Sequence, residues 1–217
     1  MRGSTSSLVF LAVLGLAGPA RSQAVLDQFA YDSLHFSGVQ LDAGAFWSDR
    51  LDPALIGGFR IDWGFFAPRI RLLTGVSYAR SDFSGDEIAR FEERVRQIVI
   101  DPSGDDTVRV GSVELAAVML DFDLQYLVVA PPQVPLLLYA GAGLSVQFRN
   151  GRGPLIDGTF VEDALDVVAA GLNGTVGLEV PVFPEVRLTL EGRGVLTSGL
   201  NGVSARAGLM YRFGAVP

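Results

Sequence analysis

The chain has 217 residues, no cysteine and a single histidine, which rules out a disulfide framework or thiolate metal site and leaves a histidine-based zinc site almost no ligands. Its 17 basic residues are all arginine and face 24 acids; a net charge of −7 with no basic stripe argues against nucleic acid as a partner. A length of this order suits one β-rich domain.

The first 24 residues differ from the rest. Arg2 gives a weakly positive start, Leu8 to Gly18 is a short apolar run, and small residues follow up to Ala24. This is the layout of a secretory signal peptide, with cleavage expected after Ala24, although cleavage after Ser22 would suit the small-residue rule equally. The alternative, an N-terminal membrane anchor, would need about 20 apolar residues. The expected division is then a signal peptide over 1–24, a lead-in over 25–33, a barrel over 34–213 and a tail over 214–217.

Beyond this point the chain returns again and again to a period of two, the mark of a strand with two unlike faces. Val39 to Trp47 sets Val39, Leu41, Ala43, Ala45 and Trp47 against Gln40, Asp42 and Gly44. Leu55 to Trp63 sets Phe59, Ile61 and Trp63 against Arg60 and Asp62, and Ile70 to Phe83 sets Ile70, Leu72, Val76 and Tyr78 against Arg71, Gly75 and Ser77. A long fourth strand, Val108 to Leu127, ends with Leu120, Phe122, Leu124 and Tyr126 opposite Asp121, Asp123 and Gln125. Between Tyr126 and Val146 the chain is apolar enough to imitate a membrane helix, but Pro131, Pro132 and Pro135 break that pattern and make it strand, turn, strand. Leu136–Phe148, Ala170–Val180, Val186–Leu196 and Asn201–Phe213 complete eight strands.

Links after strands two, four and six are short and contain proline, whereas those after strands three and five are long and polar. Short turns at one end and long loops at the other are the habit of an up-and-down membrane barrel. In the first long loop Ile88, Phe91, Val95 and Ile98 fall at helical spacing; a hairpin over Val95–Ile100 and Thr107–Val113 would instead either extend the barrel above the membrane or give ten strands. In the second, Thr159 to Glu162 has the form of a capping box.

The polar faces collect six acids (Asp42, Asp62, Asp121, Asp123, Glu179, Glu191) and six bases (Arg60, Arg71, Arg187, Arg193, Arg206, Arg212). An enclosed lumen must pair its ions or suffer a large desolvation cost, so the balance points to a charge network inside a closed barrel. The apolar faces would then meet lipid. Aromatics near strand ends (Trp47, Trp63, Phe65, Tyr78, Tyr126, Phe148) are expected to form belts at the two headgroup levels.

Signal peptide, eight alternating strands and loop asymmetry together resemble the small eight-stranded outer-membrane β-barrel proteins of double-membraned bacteria, the class of the outer membrane protein A transmembrane domain and the opacity-like barrels. The terminal assembly signal of that family is similar to Arg206, Gly208, Tyr211 and Phe213, although here Gly214 to Pro217 follow the last aromatic. The resemblance implies outer-membrane lipid and, during biogenesis, the barrel-assembly machinery as partners of a monomer, with the external partner unspecified.

No residue set requires catalysis, a cofactor or a metal. His35-Phe36-Ser37 looks like a fragment of a lipid A deacylase site but falls at the wrong end of the chain, and Asp121 with Asp123 reads as ionic plugging before acid–base work. Asp101, Asp105 and Asp106 lack the EF-hand spacing, and Gly141 and Gly143 lack the rest of a dinucleotide fingerprint, making room instead for large neighbours. The expectation is a non-enzymatic barrel with a closed lumen, acting in envelope integrity or surface interaction. A narrow pore or transporter for a small or hydrophobic molecule is the alternative, with a lipid A-modifying enzyme and a soluble lipocalin-like carrier behind it.

Overall fold

The computed structural model describes residues 34–98, 111–129, 136–153 and 165–213. The signal peptide and its Ala24 cleavage, the lead-in, the turns at 101–106 and 131–135, the capping box and the tail at 214–217 all lie outside those residues.

Among the described residues eight strands form: β1 (Leu34–Ser48), β2 (Ala54–Ala67), β3 (Ile70–Asp82), β4 (Glu114–Val129), β5 (Leu137–Arg152), β6 (Val167–Pro181), β7 (Val186–Thr197) and β8 (Gly202–Arg212). Each pairs antiparallel with its neighbours in sequence, and β1 closes on β8 from Gly38↔Arg212 to Ser48↔Gly202, giving a closed barrel. Closure leaves no exposed edge, so the ladders satisfy the backbone internally. Among the described residues no helix is long and apolar enough to cross a membrane, which says nothing of strands.

The described part of the first long loop contains one helix, α1 (Gly85–Ile98). Because residues 95–98 are helical, the rival hairpin does not form, and β4 begins at Glu114, later than the expected Val108. The Ser84 hydroxyl accepts from the Glu87 amide at 3.4 Å, and Asp86 and Glu87 stand in the first turn, where the helix dipole favours acids. Phe91 anchors the helix on Val113, beside Phe83 and Leu165; the side chains of Val95 and Ile98 are outside the described set.

At the opposite end the β2–β3 link is a tight turn in which Arg69 takes a left-handed φ of 66°. One residue is inserted between Asp62↔Leu73 and Phe65↔Arg71, with Gly64 at φ 81°. That bulge inverts the alternation of β2 near its end. Phe65 therefore departs from the lipid-facing belt expected of it: it shares the register of lumenal Arg71, and its ring centroid lies 5.9 Å from the Arg212 guanidinium carbon.

The core is the barrel interior, and it is stratified. Toward the loop end it is apolar, with Phe46, Ile56, Ala79, Ala117 and Met119 in one cluster and Leu51, Leu115, Leu200 and Phe83 in another above it. The sequence shows this only as loss of alternation, as in Leu115-Ala-Ala-Val-Met-Leu120, where both faces of the strand are apolar. The outer surface is also apolar: Leu55 is 83% exposed and Leu41 67%. Phe46→Ala should cost about 3–5 kcal/mol, because it opens a void in a packed interior. Denaturant unfolding in detergent micelles checks this, and a midpoint unchanged from the parent would contradict an interior position for Phe46.

Candidate functional site

The pleat turns alternate residues inward, and the twelve charged residues expected on the polar faces are all buried, none more than 9% exposed as a whole residue. They form two ionic layers. The layer near the short turns contains Asp62, Arg71, Glu179, Arg187 and Arg212. Arg212 donates to Asp62 at 2.7 Å and Arg187 to Glu179 at 3.1 Å; Arg71 pairs with Glu179 and lies 3.8 Å from Asp62. Arg71 also donates from Nε and Nη2 to the Gln125 Oε1 at 2.9 and 2.7 Å, which fixes the orientation of that amide.

The mid-barrel layer contains Asp42, Arg60, Asp121, Asp123, Glu191, Arg193 and Arg206. Arg60 on β2 donates two bonds to Glu191 on β7 at 2.6 and 2.5 Å, a fork joining strands that are not neighbours in the sheet. Arg193 pairs with Asp123 and reaches Asp121 at 3.2 Å and Glu191 at 3.3 Å. Arg206 lies 3.4 Å from Asp42 and donates to the Ser77 hydroxyl at 2.8 Å, and the Ser145 hydroxyl donates to Asp121 at 2.7 Å.

Eight strands leave little room, and the wall meets several of the large side chains with glycine. Arg60 stands opposite Gly75, Asp123 opposite Gly143 and Gln125 opposite Gly141. A Cβ at Gly143 would come within 2.6 Å of an Asp123 carboxylate oxygen, and one at Gly75 within 2.8 Å of the Arg60 Cγ. Large against small fills the lumen, and no side chain of the network is spare for chemistry.

The other candidate residues divide between the two faces. Of the terminal stretch, Arg206 points into the lumen, where Gly208 faces Asp42, whereas Tyr211 and Phe213 are exposed outside. Phe36, Trp63, Tyr211 and Phe213 form one ring cluster over the β8–β1–β2 seam: Phe36 stacks on Phe213 at 4.9 Å and meets Trp63 edge-on at 6.4 Å, and Tyr211 meets Phe213 at 5.1 Å. Trp63 also donates to the Thr74 hydroxyl at 2.8 Å. Tyr126 is exposed toward the turn end, and Trp47, Tyr78 and Phe148 toward the loop end. His35 and Ser37 do not make a dyad: the Ser37 hydroxyl donates to the His35 backbone carbonyl at 3.1 Å. Among the described residues no group of three or more possible ligands could hold a metal ion.

Tyr139 is the interior residue that charge counting overlooks. It is 4% exposed, donates to Glu191 at 3.1 Å, and lies under Arg71. Its signal was its phase with Gly141 and Gly143, two steps apart on the same face of β5.

No family model matches this chain, and no curated protein matches it significantly. Solved structures do resemble it. Neisserial surface protein A aligns with a TM-score of 0.53 and 16% identity, covering 82% of this chain and 97% of that one. Ail, the attachment invasion locus protein of Yersinia pestis, aligns at 0.49 with 9% identity and the same coverages, and the N-terminal β-barrel domain of Pseudomonas aeruginosa OprF at 0.45 with 15% identity, covering 83% and 99%. The first of these likenesses establishes a shared fold.

Glu191→Gln should be costly, about 3–5 kcal/mol, since it leaves Arg60 and Arg193 short of a buried partner. Arg80→Ala, which breaks an outer-surface pair with Glu114 at 2.6 Å, should cost at most about 1 kcal/mol. Unfolding of both variants in the same detergent checks the ranking, and equal losses would show that burial does not govern the network.

Proposed function

We propose that this chain is an outer-membrane barrel of a double-membraned bacterium, non-enzymatic and closed to bulk permeation, which serves envelope integrity or surface contact through its loop end. The observation that carries this reading is that each of the twelve charges in the two ionic layers is already committed to another of the twelve. A conduit needs ions or dipoles free to handle a passenger, and an enzyme needs a nucleophile or base with room for substrate. The apolar cluster of Phe46, Ile56 and Met119 adds a dry layer above the ions.

Lipid is the solvent that suits the outer face. A band carrying Leu41, Leu55, Leu144, Leu172 and Leu196, each more than half exposed, would be an aggregation surface in water. A soluble carrier of apolar ligands would place these residues inside and the arginines outside. With a signal peptide preceding it, the barrel would have its short turns in the periplasm and α1 outside, inserted as a monomer by the barrel-assembly machinery reading Arg206, Gly208, Tyr211 and Phe213.

In planar lipid bilayers the protein should give no steady conductance. Regular channels would overturn the closed lumen in favour of a narrow pore. For the terminal stretch, Phe213→Asp should reduce insertion into the outer membrane far more than Arg212→Ala, as read by heat-modifiable gel migration of the membrane fraction; normal insertion of both variants would remove these residues from the assembly signal.

A further inference from the structure

Neither ionic layer is neutral by itself. The layer near the turns holds three arginines and two carboxylates, a formal excess of one positive charge; the mid-barrel layer holds three arginines and four carboxylates, an excess of one negative. Uncompensated charge in a water-poor interior is expensive, so each layer depends on the other. Yet among the described residues no ion pair joins them.

One side chain touches both. The Tyr139 ring centroid lies 5.2 Å from the guanidinium carbon of Arg71, within reach of a cation–π contact, and its hydroxyl donates to Glu191 at 3.1 Å. Opposite it stands Gly177, where a Cβ would come within 2.4 Å of the phenol ring and its oxygen. The wall of β6 is thus cut back where the ring needs space. Phenol is suited to the place: its face takes the cation of one layer while its edge gives a hydrogen bond to the anion of the other, without adding a charge.

We propose that Tyr139 is a positioning residue that joins the two ionic layers into one cooperative plug, seating Arg71 with its ring and orienting Glu191 with its hydroxyl. This rests on the closed-lumen reading. Loss of order in one layer is then felt in the other through residue 139, and the lumen yields as a unit.

A double-mutant cycle run in two backgrounds tests it. Asp62→Asn perturbs the turn-end layer, where Asp62 pairs with Arg71 and Arg212, and Asp121→Asn the mid-barrel layer, where Asp121 pairs with Arg193 and accepts from the Ser145 hydroxyl. The unfolding equilibrium of each single variant and of the pair is measured in detergent micelles, first in the parent and then with Tyr139→Phe, which keeps the ring and removes the hydroxyl. In the parent, the effect of the pair should differ from the product of the single effects by roughly twofold or more in the unfolding constant. With Tyr139→Phe, the pair should equal that product. Independence in the parent, or equal coupling in both backgrounds, overturns the inference.

If a paired variant fails to insert, arginine side-chain NMR of Tyr139→Phe alone decides. Signals of Arg187 or Arg212 in the far layer should shift together with those of Arg60 and Arg193, and shifts confined to the mid-barrel layer would contradict the coupling. Conducting channels would defeat the closed lumen, whereas coupling that ignores residue 139 would defeat only this inference.

Discussion

The structure turns on the forked pair between Arg60 and Glu191. It spans the lumen between strands that do not adjoin, with both groups withdrawn from water. Such a pair gives little net stability over an apolar replacement, because desolvation consumes most of the Coulomb gain. What it gives is exclusion of alternatives. Removing either partner, or slipping a strand by one residue, would expose an unpaired ion to the interior or a charge to hydrocarbon, so the network holds the register of the eight strands.

The inversion of polarity follows from the same constraint. The backbone of a membrane barrel is satisfied by closure, and its outer face gains nothing from charge, so ionic groups collect inside, where a narrow lumen forces them together. Small residues on the wall are the counterpart of the large ions. Gly75 beside Arg60, Gly143 beside Asp123 and Gly177 beside Tyr139 share one way of packing, in which glycine on the facing strand makes space for these three bulky side chains.

Much of this was legible in the chain because the period of two is strong wherever one face is polar. The twelve interior charges could be assigned from alternation alone, and so could the order of strands, since short proline turns and long polar loops alternate. Three features were not legible. The lumen becomes apolar toward the loops, where Phe46 and Trp47, or Val118 and Met119, are adjacent apolar residues on opposite faces and periodicity says nothing. The bulge at Gly64 inverts the phase of β2, so Phe65 turns inward although counting from Asp62 places it outside. Tyr139 is flanked by apolar residues, so its inward direction depends on two glycines further along the strand.

The central claim is that polar residues line a packed lumen while apolar residues face lipid, and the absence of native cysteine makes it directly measurable. Single cysteines replacing Ser77, Ser145 and Ser204 inside, and Leu41, Leu120, Leu172 and Leu196 outside, can each be given a spin label in lipid bilayers. At the four leucine positions the label should collide freely with oxygen dissolved in the hydrocarbon. At the three serine positions it should attach poorly or be immobile and shielded from oxygen. Oxygen access at the serine sites with shielding at the leucine sites would contradict the account.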